Sequence, residues 1–471
     1  MSTPLVTNSA YNLNLPVKHL IKRAPVFVDP GASVATAASV MQQAEIGSVL
    51  VSDHPPGIIT DRDLRGRVLA AGLGPQTPVS QVMSRPIRTL DSDAPIFAAL
   101  QMMLENNFHH LPIVDAATII GVISGTDLLR HEINNPLYLR RTLDQLQEPS
   151  ALRNYASEIA ALVQKLFNGG VSELEIGRVV SSLNDALVRR LIYLGEQTLG
   201  PPPTRFAWIV FGSEGRLEQA LLTDQDNALI YSEESAAAQT YFRALSTYVV
   251  DSLITVGFPR CAGGYMATKW CQPLKEWQAL FTRYIRAPEP QALLDSSIFF
   301  DLRAVAGDLS LKSLEEILAA ARDEKLFLSH MVRAALQFRP PLGFFSRIRS
   351  NNGKVDLKKG AIGPVVALAR AAALCAGSHE RSTHARLQAA GASGDLLNEE
   401  TARMLAEIFS FVLHLRLRRQ LTAYQQGQPL TNEIKLAELS TLERRHLQEA
   451  FVMIKRIQEE IRSAGHLDLL A

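Results

Sequence analysis

Apolar and polar positions along the chain change period several times, and the changes mark out its elements. Two stretches carry the same order of signals: residues 25–64 (PVFVDPGASVATAASVMQQAEIGSVLVSDHPPGIITDRDL) and residues 86–128 (PIRTLDSDAPIFAALQMMLENNFHHLPIVDAATIIGVISGTDL). Each opens on a short extended piece and continues into an amphipathic helix containing Met41, or Met102 and Met103. Each then gives a strand (SVLVSD, HLPIVD) and closes on a glycine, a strand, a hydroxyl residue and an aspartate. A repeated unit of this size predicts two copies that pack together. Apolar positions then recur at three and four through SALRNYASEIAALVQKLFNGG and SELEIGRVVSSLNDALVRRLIYLGEQ, which predicts two helices, the first stopped by Gly169-Gly170 and the second by GPPP at 200–203. The run AWIVF predicts a buried strand, EGRLEQALL a short helix, NALIY a second strand, AAAQTYFRALSTYVVDSLITVG a long helix and FPRCAGGYMAT a third strand. From about residue 290 onward, helix formers dominate and strand signals are few, which predicts a helical bundle. The segment SIFFDLRAVAGD reads as helical and opens that bundle.

Composition adds limits. The chain has 471 residues, 47% hydrophobic, which is ample for several cores and argues against wholesale disorder. A net charge of +1 gives no electrostatic reason to expect nucleic acid or an anionic membrane as partner. The basic stretch HLRLRRQ at 414–420 lacks the aromatic interleaving of a base-stacking platform. Three widely spaced cysteines fit a reducing compartment and make no zinc site. No secretory signal is visible, and the most apolar stretch, AIGPVVALARAAALCAG, is too short to span a bilayer. The expectation is a cytoplasmic protein without membrane or nucleic-acid partners.

Candidate chemistry lies in two places. In the repeats, Thr60 with Asp63 and Ser124 with Asp127 stand where a strand gives way to a helix. A hydroxyl and backbone N–H groups there can hold a phosphate, and the carboxylate can accept from ribose hydroxyls. The alternative is that both pairs are helix caps. His109 and His110, just before a buried strand, read as packing or cleft-lining residues rather than metal ligands.

The second place is FGSEGRLEQALLTDQDNALIY, residues 211–231. Gly212-Ser213 forms a turn where backbone can approach a ligand closely. Asp224 and Asp226 stand at i and i+2, so on a strand they share one face. With no Lys or Arg between them they repel, unless a hard cation such as Mg2+ sits there, completed by substrate phosphates. Arg216 could neutralise phosphate charge. The alternative is a solvated acidic turn.

The repeats resemble paired CBS domains, the Bateman module, over roughly residues 16–135. In that family the pair often binds adenine nucleotides (AMP, ADP or ATP) and associates through its helices. The resemblance therefore implies Thr60, Asp63, Ser124 and Asp127 as ligand contacts and a homodimer through residues 16–135. The stretch GSEGRLEQALLTDQDNALIY resembles the DNA polymerase β-like nucleotidyltransferase superfamily. It is most similar to the signalling branch that includes glutamine synthetase adenylyltransferase and a signal-protein uridylyltransferase, and with the CBS pair upstream it looks like the signal-transduction nucleotidyltransferases that combine these modules. The resemblance implies an α+β multidomain chain: an N-terminal tail (1–15), a tandem CBS pair (16–135), a helical linker (136–200), a nucleotidyltransferase domain with a mixed sheet (201–288) and a helical substrate-binding bundle (289–471). It implies transfer of a nucleotidyl group from ATP or another NTP to a protein or small-molecule acceptor. Asp224 and Asp226 would hold Mg2+, and Gly212, Ser213 and Arg216 would meet the nucleotide.

Superfamily enzymes commonly add a third carboxylate on a later strand, and FPRCAGGYMAT has none. Asp301 is the substitute, making the expected catalytic set Asp224, Asp226 and Asp301. Arg260, Lys269 and Arg303 could line a nucleotide or acceptor pocket or serve as surface and salt-bridge residues. Lys358, Lys359, Arg370 and Arg386 could face the cleft or form a solvated basic surface. The rival to an enzyme is a non-catalytic nucleotide sensor that keeps the transferase fold.

Overall fold

A computed structural model describes residues 13, 15–129, 136–152, 154–221, 225–261 and 263–463. The chain forms two compact units, 1–142 and 143–471. In the first, the repeat appears twice as one supersecondary motif. Strand β1 (Phe27–Val28) leads to helix α1 (Val34–Ala44), then to strands β2 (Ser48–Val51) and β3 (Gly57–Thr60) and a single helical turn, α2 (Asp61–Asp63). The second copy runs β4 (Leu90–Asp91), α3 (Ile96–Asn106), β5 (His110–Asp115), β6 (Thr118–Ser124) and α4 (Gly125–Leu129). Each copy makes a three-stranded sheet with its first pair parallel and its second antiparallel. The two helices match in detail: each has 11 residues, and each ends on a non-glycine residue in the left-handed conformation, Glu45 (φ 52°) and Asn107 (φ 55°). Met41 and Met103 are buried in their respective copies.

Helix α5 (Pro136–Asp144) carries the chain into the second unit. There, α6 (Tyr155–Asn168) stops at Gly169, and α7 (Glu173–Leu199) starts on a capping box in which the Ser172 hydroxyl and the Glu175 carboxylate each satisfy the other's backbone N–H. The sheet comprises β7 (Phe206–Val210), β8 (Asn227–Tyr231), β9 (Cys271–Pro273) and β10 (Arg303–Gly307), in the order β10-β7-β8-β9. It is mixed: β7 pairs antiparallel with β8 and β10, and β8 pairs parallel with β9. All residues of β7 and β8 are buried, as their unbroken apolar runs require of central strands. Between the strands lie α8 (Gly212–Gly215), α9 (Ala236–Val256), α10 (Leu274–Arg286) and α11 (Pro290–Phe299). The rest of the unit is α12 (Lys312–Ala320), α13 (Lys325–Ala335), α14 (Gly363–Cys375), α15 (Thr383–Ser393), α16 (Glu399–Gln425) and α17 (Thr441–Ser463), around a core that includes Val365, Leu368, Leu405, Phe409, Phe451 and Ile454. A short antiparallel pair, β11 (Lys354–Asp356) with β12 (Glu433–Lys435), staples two distant parts of this bundle.

Four features depart from the sequence expectation. The described part of 258–268 holds no strand; the parallel edge is three residues at Cys271–Pro273 instead. The helix expected through EGRLEQALL is the single turn Gly212–Gly215. SIFFDLRAVAGD is helical only to Phe299, and its second half is β10, so the sheet extends past residue 288. Finally, α7 is no linker: it packs on α9 and β10. Among the described residues no helix is long and apolar enough to cross a membrane.

Candidate functional site

Strand β7 ends at Val210 and delivers Gly212 and Ser213 beside the start of β8. The backbone N–H of Phe211 donates to the carbonyl of Asp226 at 2.9 Å, tying the turn to the residue that precedes β8. Gly212 has φ +54°, and a Cβ there would lie 3.1 Å from Asp226 Oδ2. Only glycine therefore lets the backbone run this close to the carboxylate without strain. Asp226 is half-buried, and the thiol of Cys261 donates a hydrogen bond to it; burial, with that carboxylate's charge, pushes the thiol pKa up. Gln225 beside it points inward. Gly212, Ser213 and Asp226 are thus brought together, whereas Asp224 lies outside the described residues.

An unexpected acid stands in the same turn. Glu214 is buried, and burial, together with the negative charge of Asp185 and Asp226 and against the pull of Arg303, pushes its carboxyl up to about 8. Asp185 comes from α7, whose buried face is polar at Ser181, Ser182, Asn184 and Asp185. It holds Arg303 in a bidentate pair (2.6 and 2.9 Å), and Arg303 also donates to the carbonyl of Glu214 at 3.0 Å. The sequence signals for both acids were present: a carboxylate in a turn of small residues, and a polar run (SSLND) on the face of a helix that should be apolar.

Asp301 and Arg216 are placed differently from expectation. Asp301 is 0% exposed and accepts from three arginines: Arg216, Arg370 (3.2 and 2.6 Å) and Arg386 (2.5 Å). Burial alone would raise its pKa; the three guanidiniums hold it well below the usual carboxylate range. A carboxylate already saturated by cations is the anchor of an ion cluster, and its lone pairs are spent. Arg216 in turn pairs with Glu218 at 2.7 Å, and Glu218 accepts from the Thr383 hydroxyl at 3.0 Å. Arg216 is buried with these partners rather than presented to a phosphate. Of the other basic candidates, Arg260 pairs with Asp251 at the surface (3.3 Å), Arg303 pairs with Asp185, Arg370 and Arg386 pair with Asp301, and Lys358 and Lys359 are exposed. The Nζ of Lys269 lies 2.7 Å from where a Cβ on Gly264 would stand.

In the first unit each hydroxyl–aspartate pair closes a helix start. The Thr60 hydroxyl and N–H donate to Asp63 (2.8 and 3.0 Å), and the Asp63 N–H donates back to the hydroxyl. Ser124 and Asp127 repeat this at 2.6 and 2.8 Å. The same four residues also line cavities. Thr60 and Asp63 face one of about 680 Å3, ringed by Arg62, Arg65, Arg67, Arg88 and His109. Ser124 and Asp127 face one of about 460 Å3 with Lys22 and Arg23. Lys22 forms an ion pair with Asp127, and its hydrogen bond and that of Ser124 keep the Asp127 carboxyl low despite burial. His110 lines both cavities, and burial, with His109 beside it, lowers its pKa. No cluster of three or more metal-ligating side chains occurs among the described residues.

Comparison with known proteins finds three kinds of domain along the chain. Residues 157–291 match the family described as "Putative nucleotidyltransferase DUF294", residues 325–464 match its "substrate binding domain", and residues 17–70 and 79–134 each match the CBS domain. The first match begins within α6, in keeping with the packing of α7 on the sheet. A Bacillus subtilis CBS domain-containing protein, YhcV, is 32% identical over 121 residues, 25% of this chain and 86% of that one. An Arabidopsis thaliana CBS domain-containing protein, CBSCBSPB2, is 34% identical over 122 residues, and the matched part spans only 23% of its length. Among solved structures, a Pyrobaculum aerophilum CBS domain protein complexed with AMP is 26% identical, covering 24% of this chain and 90% of that one at a TM-score of 0.23.

Proposed function

The chain belongs to the family that joins a CBS-domain pair to the DUF294 nucleotidyltransferase domain and its substrate-binding domain, and from that premise we propose that it transfers a nucleotidyl group from ATP or another NTP to an acceptor, under the control of adenine nucleotide held by the CBS pair. One observation carries this reading: the side-chain-free backbone of Gly212 runs beside the Asp226 carboxylate, leaving room there that any other residue would fill. Carboxylate oxygens suit a hard cation, and Asp226, with Asp224, would hold Mg2+. When bound, Mg2+ supplies positive charge against the triphosphate. The chain's own part is positional. Gly212 and Ser213 offer backbone N–H and hydroxyl donors to phosphate oxygens. Burial of the Glu214 carboxyl favours its protonated form, which lowers the negative charge that an incoming triphosphate must approach. Asp185 and Arg303 brace that turn from behind. The acceptor is a protein or a small molecule, and the protein works as a homodimer through residues 16–135.

In the CBS pair, phosphates would meet Thr60 or Ser124, and ribose would meet Asp63 or Asp127. The arginine ring around the first cavity favours it for the more highly charged ligand.

The test is label transfer from α-labelled ATP and UTP into lysate protein and small-molecule fractions, with and without Mg2+. Mg2+-dependent label that Asp226→Asn abolishes is the expected result. Equal Mg2+·NTP binding by wild type and Asp226→Asn in calorimetry overturns the metal assignment. A second reading, a sensor that keeps the transferase fold without catalysis, is favoured by one observation: β9 carries no carboxylate and Asp301 is taken up by arginines. Nucleotide binding without any label transfer would establish that reading instead.

A further inference from the structure

A cavity of about 290 Å3 opens between the turn that precedes β10, α12, and the α14–α15 corner. Its lining includes the apolar Phe300, Leu318 and Ala373 and the charged Arg370, Arg381, Arg386 and Glu315. The arginines meet acids here: Arg370 and Arg386 share the Asp301 carboxylate with Arg216, which also pairs with Glu218, and Glu315 and Glu380 stand on the cavity wall. Arg381 donates Nε to the carbonyl of Leu302 (3.2 Å) and Nη2 to Glu315 (2.8 Å). Among the described residues, Nη1 of Arg370 and Nη1 of Arg381 have no hydrogen-bond acceptor. Glu380 also lines the cavity; it is exposed, and its backbone carbonyl accepts from Arg386.

A guanidinium carries five N–H donors, and these two Nη1 groups remain open to an anion that enters from the cavity side. We propose that this cavity binds a small organic oxyanion, with a carboxylate or phosphoryl head on Arg370 and Arg381 and a short apolar body against Phe300, Leu318 and Ala373. The Nη1 group of each arginine can donate to an oxygen of either head, since Nε and Nη2 are already engaged. The volume lies at the lower limit of ligand pockets, roughly 300–1,000 Å3, which favours a small metabolite over a nucleotide or a peptide segment. The apolar wall separates this site from one built for a free inorganic ion. The proposal uses none of Gly212, Ser213 or Asp226 and does not rest on the transfer reading.

The experiment is calorimetric titration of the full chain, at constant ionic strength, with two probes: butyrate for the carboxylate head and glycerol 3-phosphate for the phosphoryl head. Saturable heat at millimolar concentration or below with at least one probe is expected, and the stronger of the two identifies the head group. Two variants change the cavity by different means. Arg381→Gln removes a half-exposed cation, and Ala319→Phe on α12 fills the space without altering charge. Both should weaken binding at least tenfold while leaving the melting profile intact. Asp226→Asn should bind the probes like wild type, so loss of transfer and loss of anion binding are separable. Absence of saturable heat with both probes, or heat unchanged in both variants, overturns the proposal.

Discussion

Three carboxylates of the second unit behave differently because their surroundings differ. Glu214 is buried near other acids, Asp301 is buried among arginines, and Asp226 is half-buried at the end of a strand. Glu214 has a folded pKa near 8 against an ordinary 4.5. The native state therefore keeps a proton that the unfolded chain releases, and stability falls as pH rises through that interval. We expect denaturant midpoints to decline between about pH 5 and pH 8, and Glu214→Gln to flatten the decline, recovering up to roughly 4–5 kcal/mol at the upper end. An unchanged slope in the variant would remove Glu214 as its source. Asp301 has the opposite sign: its folded pKa is depressed, so its contribution is present above about pH 4 and is lost as pH falls. Asp301→Asn takes the carboxylate from Arg370 and Arg386 and one of two from Arg216, and should cost about 3–5 kcal/mol at pH 7. Asp226→Asn keeps a side-chain oxygen to accept from the Cys261 thiol and removes negative charge beside Glu214, so it should leave the melting temperature within a degree or so of wild type. At this scale the sequence was half-readable. Gly212, Ser213 and Asp226 stand out because spacing along one strand-turn-strand phrase places them. Asp301's arginines come from positions 216, 370 and 386, and no local pattern ties residues so far apart.

Elements with strong periodicity were legible; short ones were not. Helices α7, α9, α16 and α17 have long apolar stripes and clear caps, and β7 and β8 are unbroken apolar runs. Strand β9 is three residues ending in a proline, and β10 reads as helix because Phe299 and Phe300 continue the preceding apolar pattern. Their identity comes from the partner strand, a tertiary effect that overrides local preference. Gly307 gives β10 a direct test. It has φ +92°, and a Cβ there would stand 2.0 Å from the carbonyl oxygen of Phe206 on β7. Gly307→Ala should push the edge strand away and cost about 2–3 kcal/mol. Hydrogen exchange should accelerate across 303–307 and the facing residues of β7. Exchange confined to residue 307 and its immediate neighbours would argue against the pairing. The repeat in the first unit was legible at the same level because both copies carry the full motif. Its hydroxyl–aspartate pairs are capping boxes and cavity walls at once, so Asp63→Ala with Asp127→Ala should lower the ligand-free midpoint by about 1 kcal/mol per cap as well as removing any adenylate response.

For the whole molecule, two units with separate cores predict two thermal transitions rather than one. AMP, ADP or ATP at a hundredfold excess over Kd should stabilise the transition of the first unit by about 2.7 kcal/mol. Mg2+ with NTP should act on the other transition, and Asp226→Asn should abolish only that second effect. A single transition that every ligand shifts equally would contradict this division.

The Asp301 cluster also bears on how such a chain can be inherited. Its carboxylate lies just before β10, one arginine follows the α8 turn, and two stand on α14 and α15. Loss of Asp301 leaves Arg370 and Arg386 without their carboxylate, and loss of Arg216 leaves Glu218 without its cation. Across relatives the aspartate and its arginines should therefore be kept or lost together. A chimera that joins the sheet of one homologue to the bundle of another should fold only when the set is intact. Shuffling of ancestral modules would accordingly have moved residues 157–464 as one piece, with the CBS pair as the part free to be exchanged.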